Sequence, residues 1–161
     1  MLLIKQAISK KHIVLVHNLF LEYADYLGID LEFQDFKNEL NNLPGEYSQP
    51  RGCLLLAFFN SELAGCVALR KIDKVTCEMK RLYVRQAFRG KGIAKALSKK
   101  VIESARKIGY KYLRLDTLPS MKEAINLYLS LGFKEIAAYR YNPIEDAKFF
   151  ELNLTNRSES I

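Results

Sequence analysis

Residues 78–108 read EMKRLYVRQAFRGKGIAKALSKKVIESARKI, and three patterns meet inside them. EMKRLYV (78–84) has the composition of a strand. From about Gly92 to Ile108, the residues Ala94, Leu97, Val101, Ala105 and Ile108 recur along one face at helical spacing, and Gly109 ends the run. Between them lies RGKGIA (89–94). Glycines at 90 and 92 let backbone N–H groups turn toward a ligand, and a helix that starts there adds its partial positive end. Arg89 and Lys91 add full charges. The segment therefore reads either as a seat for a phosphate or as a plain strand-to-helix turn that uses glycine for positive φ. It is not a P-loop, because no G-x-x-x-x-G-K-[ST] occurs. Nor is it a dinucleotide fingerprint. Lys95 stands where a third glycine belongs, and the chain beyond Asp116 holds one helix and two strands, not half of a doubly wound sheet.

The flanking sequence supplies the rest of the fold. Residues 2–7 form a first strand. Residues 10–27 place Ile13, Val16, Phe20, Tyr23 and Leu27 on one helical face, and residues 31–43 form a shorter helix ending at Pro44-Gly45. From Gly52 the period changes to that of strands. CLLLAFF, ELAGCVALRKI and VTCEMKRLYV are separated by Asn60-Ser61 and Asp73-Lys74, the pattern of an antiparallel meander. Residues 111–118 form a fifth strand. Ser120 and Glu123 have the spacing of a capping box for a helix that starts at Met121 and ends at Gly132. Phe133–Tyr139 and Ala147–Leu154 follow as a hairpin-like pair around Asn142-Pro143. The order is β-α-α-β-β-β-α-β-α-β-β. The expected fold is α/β, with one mixed sheet in a single domain over residues 1–154, and a frayed tail at 155–161.

The chain has 161 residues, of which 49% are hydrophobic, enough for one core. Its longest apolar run, Cys53–Phe59, is far short of the ~20 residues that span a bilayer, and the N-terminus lacks a signal-peptide core. Three widely spaced cysteines make neither a disulfide framework nor a zinc site, and each falls in a strand. These features point to a reduced, cytoplasmic protein with no membrane partner and no metal. His12 and His17 have no ligand-type neighbours and read as surface or packing residues. The net charge is +7 but uneven. Glu22, Asp25, Asp30, Glu32, Asp35, Glu39 and Glu46 crowd one segment, while residues 74–111 are strongly basic. Nucleic-acid binding by the basic block is disfavoured, since no interleaved aromatics or known motif accompany it.

From Glu78 to Phe133 the sequence resembles the GNAT superfamily of N-acetyltransferases. Arg89-Gly90-Lys91-Gly92-Ile93-Ala94 fits the acetyl-CoA motif Q/R-x-x-G-x-G/A, which the family places after a strand ending like Leu82-Tyr83-Val84. AINLYLSLGF (124–133) fits the family's later helix, A-x-x-L-Y-x-x-x-G-F. The ordered pair of motifs carries the resemblance, which covers roughly residues 52–154. The first 50 residues share only the element order. Many members carry Asn seven residues before the helix tyrosine; here that position is Met121, and the contact is not carried over.

The resemblance implies a GNAT-like acyl-CoA N-acyltransferase fold and acetyl-CoA as co-substrate. Backbone groups of Arg89, Gly90, Lys91, Gly92, Ile93 and Ala94 would hold the pyrophosphate. The backbone of Leu82, Tyr83 and Val84 would pair with the pantetheine arm. Tyr128 would be the general acid for the departing thiolate, against the plainer reading of a core tyrosine. Glu78, eleven residues before Arg89, sits where histone-type members place a catalytic base. Strand parity puts it on the face of Leu82 and Val84 unless a bulge intervenes, and partial burial would raise its pKa. The plainer reading pairs it with Lys80 or Arg81. Asp116 is a lesser candidate. The acidic segment 22–46 suggests a cationic amine acceptor, small or lysine-like. A homodimer is compatible with all of this. A non-catalytic acyl-CoA sensor of the same fold is the alternative reading.

Overall fold

The computed structural model describes residues 1–155, apart from the side chain of Phe33. Its elements follow the expected order: β1 (Leu2–Gln6), α1 (Lys10–Leu27), α2 (Phe36–Asn41), β2 (Cys53–Phe59), β3 (Glu62–Lys71), β4 (Thr76–Val84), α3 (Ile93–Ile108), β5 (Tyr112–Thr117), α4 (Lys122–Ser130), β6 (Lys134–Ile136) and β7 (Lys148–Asn153). The expected tail, beyond Thr155, lies outside the described residues.

Three local expectations change. The second helix is shorter than its apolar spacing suggested, because a 3-10 turn at Glu32–Gln34 takes up the preceding residues. The Ser120–Glu123 capping box does not form. The last helix begins at Lys122, its N-cap position is Met121, and no side chain caps it. The final pair is less regular than a hairpin. β6 has only three residues, and the chain over 137–147 leaves the sheet before β7 returns.

The seven strands form one sheet in the order β1-β2-β3-β4-β5-β7-β6. Neighbours are antiparallel except β4 and β5, which run parallel. A parallel pair needs a crossover, and α3 supplies it. One face of the sheet packs on α3 and α4, burying Leu55, Val67, Leu69, Met79, Leu97, Val101, Leu113 and Phe150. The other packs on α1 and α2, burying Val16, Leu19, Phe20, Phe36, Leu54, Leu56 and Ala68. β4 departs from regular strand geometry in two ways.

The first is a bulge. Ala68 pairs with Lys80 and Cys66 with Tyr83, so Arg81 and Leu82 together oppose the single residue Val67. Arg81 takes φ +61°, the left-handed conformation that a bulge of this kind normally assigns to glycine. The second is a divergence. β4 and β5 pair only from Thr76–Glu78 to Tyr112–Arg114. Beyond that point the two strands part, and the sheet opens toward their C-terminal ends. Gly65 on β3 lies against this region: a Cβ there would stand 2.4 Å from the Tyr83 carbonyl oxygen. Only glycine allows β3 and β4 to approach so closely.

Candidate active site

The divergence of β4 and β5 creates a cleft of about 940 Å³. Met79–Val84 form one wall and Leu115–Leu118 the other. Tyr23, Tyr26 and Leu27 of α1 close one side; Ala124, Leu127 and Tyr128 of α4 close the other. Open α/β sheets bind ligands at such points, because only there do backbone groups of neighbouring strands lack each other as partners.

One end of the cleft is the glycine loop. Gly90 and Gly92 both adopt φ +77°, and Gly92 is the N-cap of α3. An added Cβ would meet nothing within 4 Å at either position, so the demand for glycine is conformational and not one of space inside the chain. Arg89, Gly90, Gly92, Ile93, Ala94 and Lys95 line this end. The first turn of any helix presents unpaired N–H groups, and here they open into the cleft. Arg89 is folded back: its Nε donates to the Val84 carbonyl at 3.1 Å and its guanidinium lies 4.5 Å from the Tyr26 ring centre. Lys91 does not line the cleft. Its ammonium sits 5.2 Å from the centre of the Phe59 ring.

Tyr128 stands midway. Its ring packs against Phe133 and Phe150, at 5.7 and 6.3 Å between centres, and only 6% of the residue is exposed. Burial pushes the phenol well above its ordinary pKa of 10, and the nearby Tyr23 and Asp116 push the same way. The group therefore stays protonated at any ordinary pH and is available as a proton donor.

The bulge overturns the parity expectation for Glu78. Cys77 and Met79 face α3, Lys80 and Arg81 both turn toward α1 and α2, and Leu82 and Val84 then face α3 again. Glu78 thus lies on the face opposite Leu82 and Val84. It is fully buried and outside the cleft lining. Its partners are not Lys80 or Arg81. Arg70 Nε donates at 2.8 Å, Arg140 Nη2 at 3.0 Å and the Tyr139 hydroxyl at 2.5 Å. Burial alone would raise the carboxyl, but Lys80, Arg140 and Arg70 outweigh it and hold the pKa below its usual value. The expected rise is reversed, because the sequence could not show two arginines converging from β3 and from the β6–β7 connection.

Asp116 is likewise engaged, accepting from Arg140 Nη2 at 2.8 Å and from Asn142 Nδ2 at 3.2 Å. The acidic segment does not present its charge to the cleft. Glu22 pairs with Arg85, Glu39 takes both Arg81 Nε and Nη2, and Glu46 meets Arg70. What the cleft gains at this end is cationic: Lys80 and Arg81, 8% and 4% exposed, with Gln34 and Tyr23 beside them. Sequence reading passed over this group. The only hint was two adjacent cations, Lys80 and Arg81, in one strand, and a regular strand would place them on opposite faces. The three cysteines are free and buried, and burial raises the Cys53 thiol to about 11 and the other two further. Among the described residues, no cluster of His, Cys, Asp and Glu suits a metal, and no helix is long and apolar enough to cross a membrane.

Known proteins resemble the chain in sequence and in fold. The description "Acetyltransferase (GNAT) family" matches residues 14–133. An uncharacterized N-acetyltransferase of Dictyostelium discoideum is 34% identical, over 84% of this chain and 92% of its own length. One of Schizosaccharomyces pombe is 39% identical, over 83% of each chain. A GNAT family acetyltransferase from Elizabethkingia anophelis, solved with acetyl-CoA bound, superposes with a TM-score of 0.69 at 23% identity, over 94% of this chain and 97% of its own.

Proposed function

The chain belongs to the acetyltransferase (GNAT) family, and on that footing we propose that it moves an acetyl group from acetyl-CoA to a primary amine by direct attack within one ternary complex. The observation that carries this reading is the joining, in one cleft, of a helix-start anion seat, an unpaired stretch of strand backbone and a buried phenol.

Acetyl-CoA supplies the activated acyl group. Its pyrophosphate lies on the N–H groups at the start of α3, where the helix dipole favours an anion by about 0.3–1 kcal/mol and up to ~2 in partly buried geometry. Arg89 and Lys95 border that seat. The pantetheine arm lies along Leu82–Val84 as an added strand would, since β5 no longer occupies that edge. A backbone N–H at Leu82 or Tyr83 polarises the thioester carbonyl.

The acceptor nitrogen attacks as a neutral amine. The C–N bond forms and the C–S bond breaks. Tyr128 gives its proton to the sulfur, the nitrogen loses one proton to water in the open cleft, and the phenolate regains a proton from water, so the products are an amide and a free thiol. Glu78 is a positioning residue in this scheme and not the base. Its oxygens are committed to Arg70, Arg140 and Tyr139, and its lowered pKa makes it a poor proton acceptor. A sensor that binds without turnover is disfavoured by Tyr128, a donor that mere binding does not require. Three buried free thiols suit work in a reducing compartment.

Calorimetry with CoA tests the seat. Wild-type protein should bind, and Gly90→Val with Gly92→Val should weaken binding at least tenfold, since a β-branched residue is strained at φ +77°. Wild-type protein that fails to bind CoA, or a double variant that binds as well, overturns the reading.

A further inference from the structure

We propose that the acceptor carries a carboxylate beside its amine, as an amino acid does, and that Lys80, Gln34 and Tyr23 hold that carboxylate at the inner end of the cleft. This rests on the acetyl-transfer reading and names the chemistry of its acceptor.

The argument begins with the donors. Lys80 Nζ and Arg81 Nη1 both reach Gln34 Oε1, at 2.9 and 2.7 Å. Neither cation can accept a hydrogen bond. Gln34 must therefore turn its carbonyl oxygen to them, and its NH2 is left to donate elsewhere. Lys80 keeps two further N–H groups. Tyr23 brings a hydroxyl to the same wall. This end of the cleft is thus rich in donors, with the Lys80 amine among them.

No local carboxylate among the described residues pairs directly with Lys80; Glu78 acts on it only through space. Both oxygens of Glu39 are taken by Arg81. Glu78 is held by Arg70, Arg140 and Tyr139, and Asp116 by Arg140 and Asn142. Glu123 is exposed at the start of α4. Among the described residues, no carboxylate forms an ion pair with Lys80. Arg81 has a directly paired counter-ion and Lys80 does not, although only 8% of Lys80 is exposed. Burying an ammonium without a partner is unfavourable. Accordingly, burial first and Arg81 second depress Lys80 to about 7, and the opposing pull of Glu78 does not offset them. A carboxylate arriving with the substrate would supply the missing partner. A purely cationic acceptor would instead meet Lys80 and Arg81.

Position agrees. Lys80 lies four residues before Val84, on the side of the bulge away from the glycine loop. Tyr128 lies between, close enough that Tyr23 and Asp116 influence its phenol. An acceptor anchored at Lys80 by its carboxylate would direct its amine toward the thioester beside Tyr128.

The test is steady-state kinetics of the purified protein with acetyl-CoA and matched acceptors: each common amino acid, its carboxamide, and the amine lacking the carboxyl group. At least one amino acid should be acetylated with kcat/KM tenfold or more above its two neutral-ended analogues. Lys80→Met should raise the KM of that acceptor at least tenfold and leave the KM of acetyl-CoA within twofold, and Lys80→Arg should recover part of the loss. Amides or simple amines that serve equally well overturn the proposal. So does a protein that binds CoA yet neither binds nor acetylates any amino acid, and so does a Lys80→Met variant that weakens both substrates alike. Failure of wild-type protein to bind CoA would overturn the transfer reading as well, which separates the two.

Discussion

Lys80 and Arg81, adjacent in the chain, emerge on the same side of β4 and share one acceptor, Gln34 Oε1, at 2.9 and 2.7 Å. A regular strand cannot do this, because successive side chains point to opposite faces. The left-handed residue at Arg81 removes the alternation. The same bulge places Leu82 and Val84 opposite Glu78. It is held by the paired contact of Arg81 with Glu39 and by the aromatic faces of Phe36 and Tyr23, 5.2 and 6.0 Å from the guanidinium.

Replacing Gly65 tests the geometry of that wall. In Gly65→Ala the new Cβ would stand 2.4 Å from the Tyr83 carbonyl, a backbone atom that cannot swing aside. Overpacking of this kind costs about 1–3 kcal/mol. We expect a lower Tm together with weaker CoA binding, because Leu82–Val84 must move. Unchanged CoA affinity by calorimetry would show that this edge does not carry the cofactor.

Tyr128→Phe removes the proton donor while keeping the ring that packs on Phe133 and Phe150. kcat should fall by about 10²–10⁴-fold, the usual contribution of a positioned acid. Tm and the KM of acetyl-CoA should hold. Because burial raises the phenol above 10, the wild-type kcat profile should show no descending limb below that pH from this group. A variant with wild-type kcat would remove Tyr128 from the chemistry.

Glu78→Gln separates an anchor from a base. Breaking a buried pair by removing one partner costs about 3–5 kcal/mol, with the lower figure expected because Arg70 and Arg140 are both partly exposed. The carboxyl pKa is lowered on folding, so its contribution is full above the ordinary value of 4.5 and fades as pH falls through the folded value. Wild-type protein should therefore lose stability in acid more steeply than the variant. The pH profile of kcat should be unchanged in shape. Loss of its acidic limb in Glu78→Gln would instead mark Glu78 as the base.

Lys80 offers a readout that does not depend on turnover. Its surroundings are Arg81 and Glu78 on its own strand, Arg70 on β3, Arg140 on the β6–β7 connection, and Gln34. At pH 8, above its value of about 7, the amine is mostly neutral. An amino acid carboxylate would favour the ammonium, so calorimetry in buffers of different ionisation enthalpy should detect proton uptake that Lys80→Met abolishes. In the free protein the unfolded chain holds this proton up to about 10.5 while the folded one releases it near 7, so stability should rise with pH across that interval and Lys80→Met should flatten the rise.

The role given to Tyr128 came from the resemblance carried by residues 124–133. Local patterning in the sequence set the element order, the strand–glycine loop–helix unit at 78–108 and the positions of Gly90 and Gly92. These follow from periods of two and 3.6 residues and from positive φ, all of which act over a few neighbours in the chain. The partners of Glu78 come from Arg70, Tyr139 and Arg140, and Lys80 finds Gln34 46 residues away. No short-range pattern encodes such meetings. Charge counting in segments failed for the same reason. The acids of 22–46 and the bases of 74–111 looked like two patches, yet folding pairs Glu22, Glu39 and Glu46 with Arg85, Arg81 and Arg70. Only after those pairings are made does Lys80 stand out as a buried cation of the cleft with no directly paired carboxylate among the described residues.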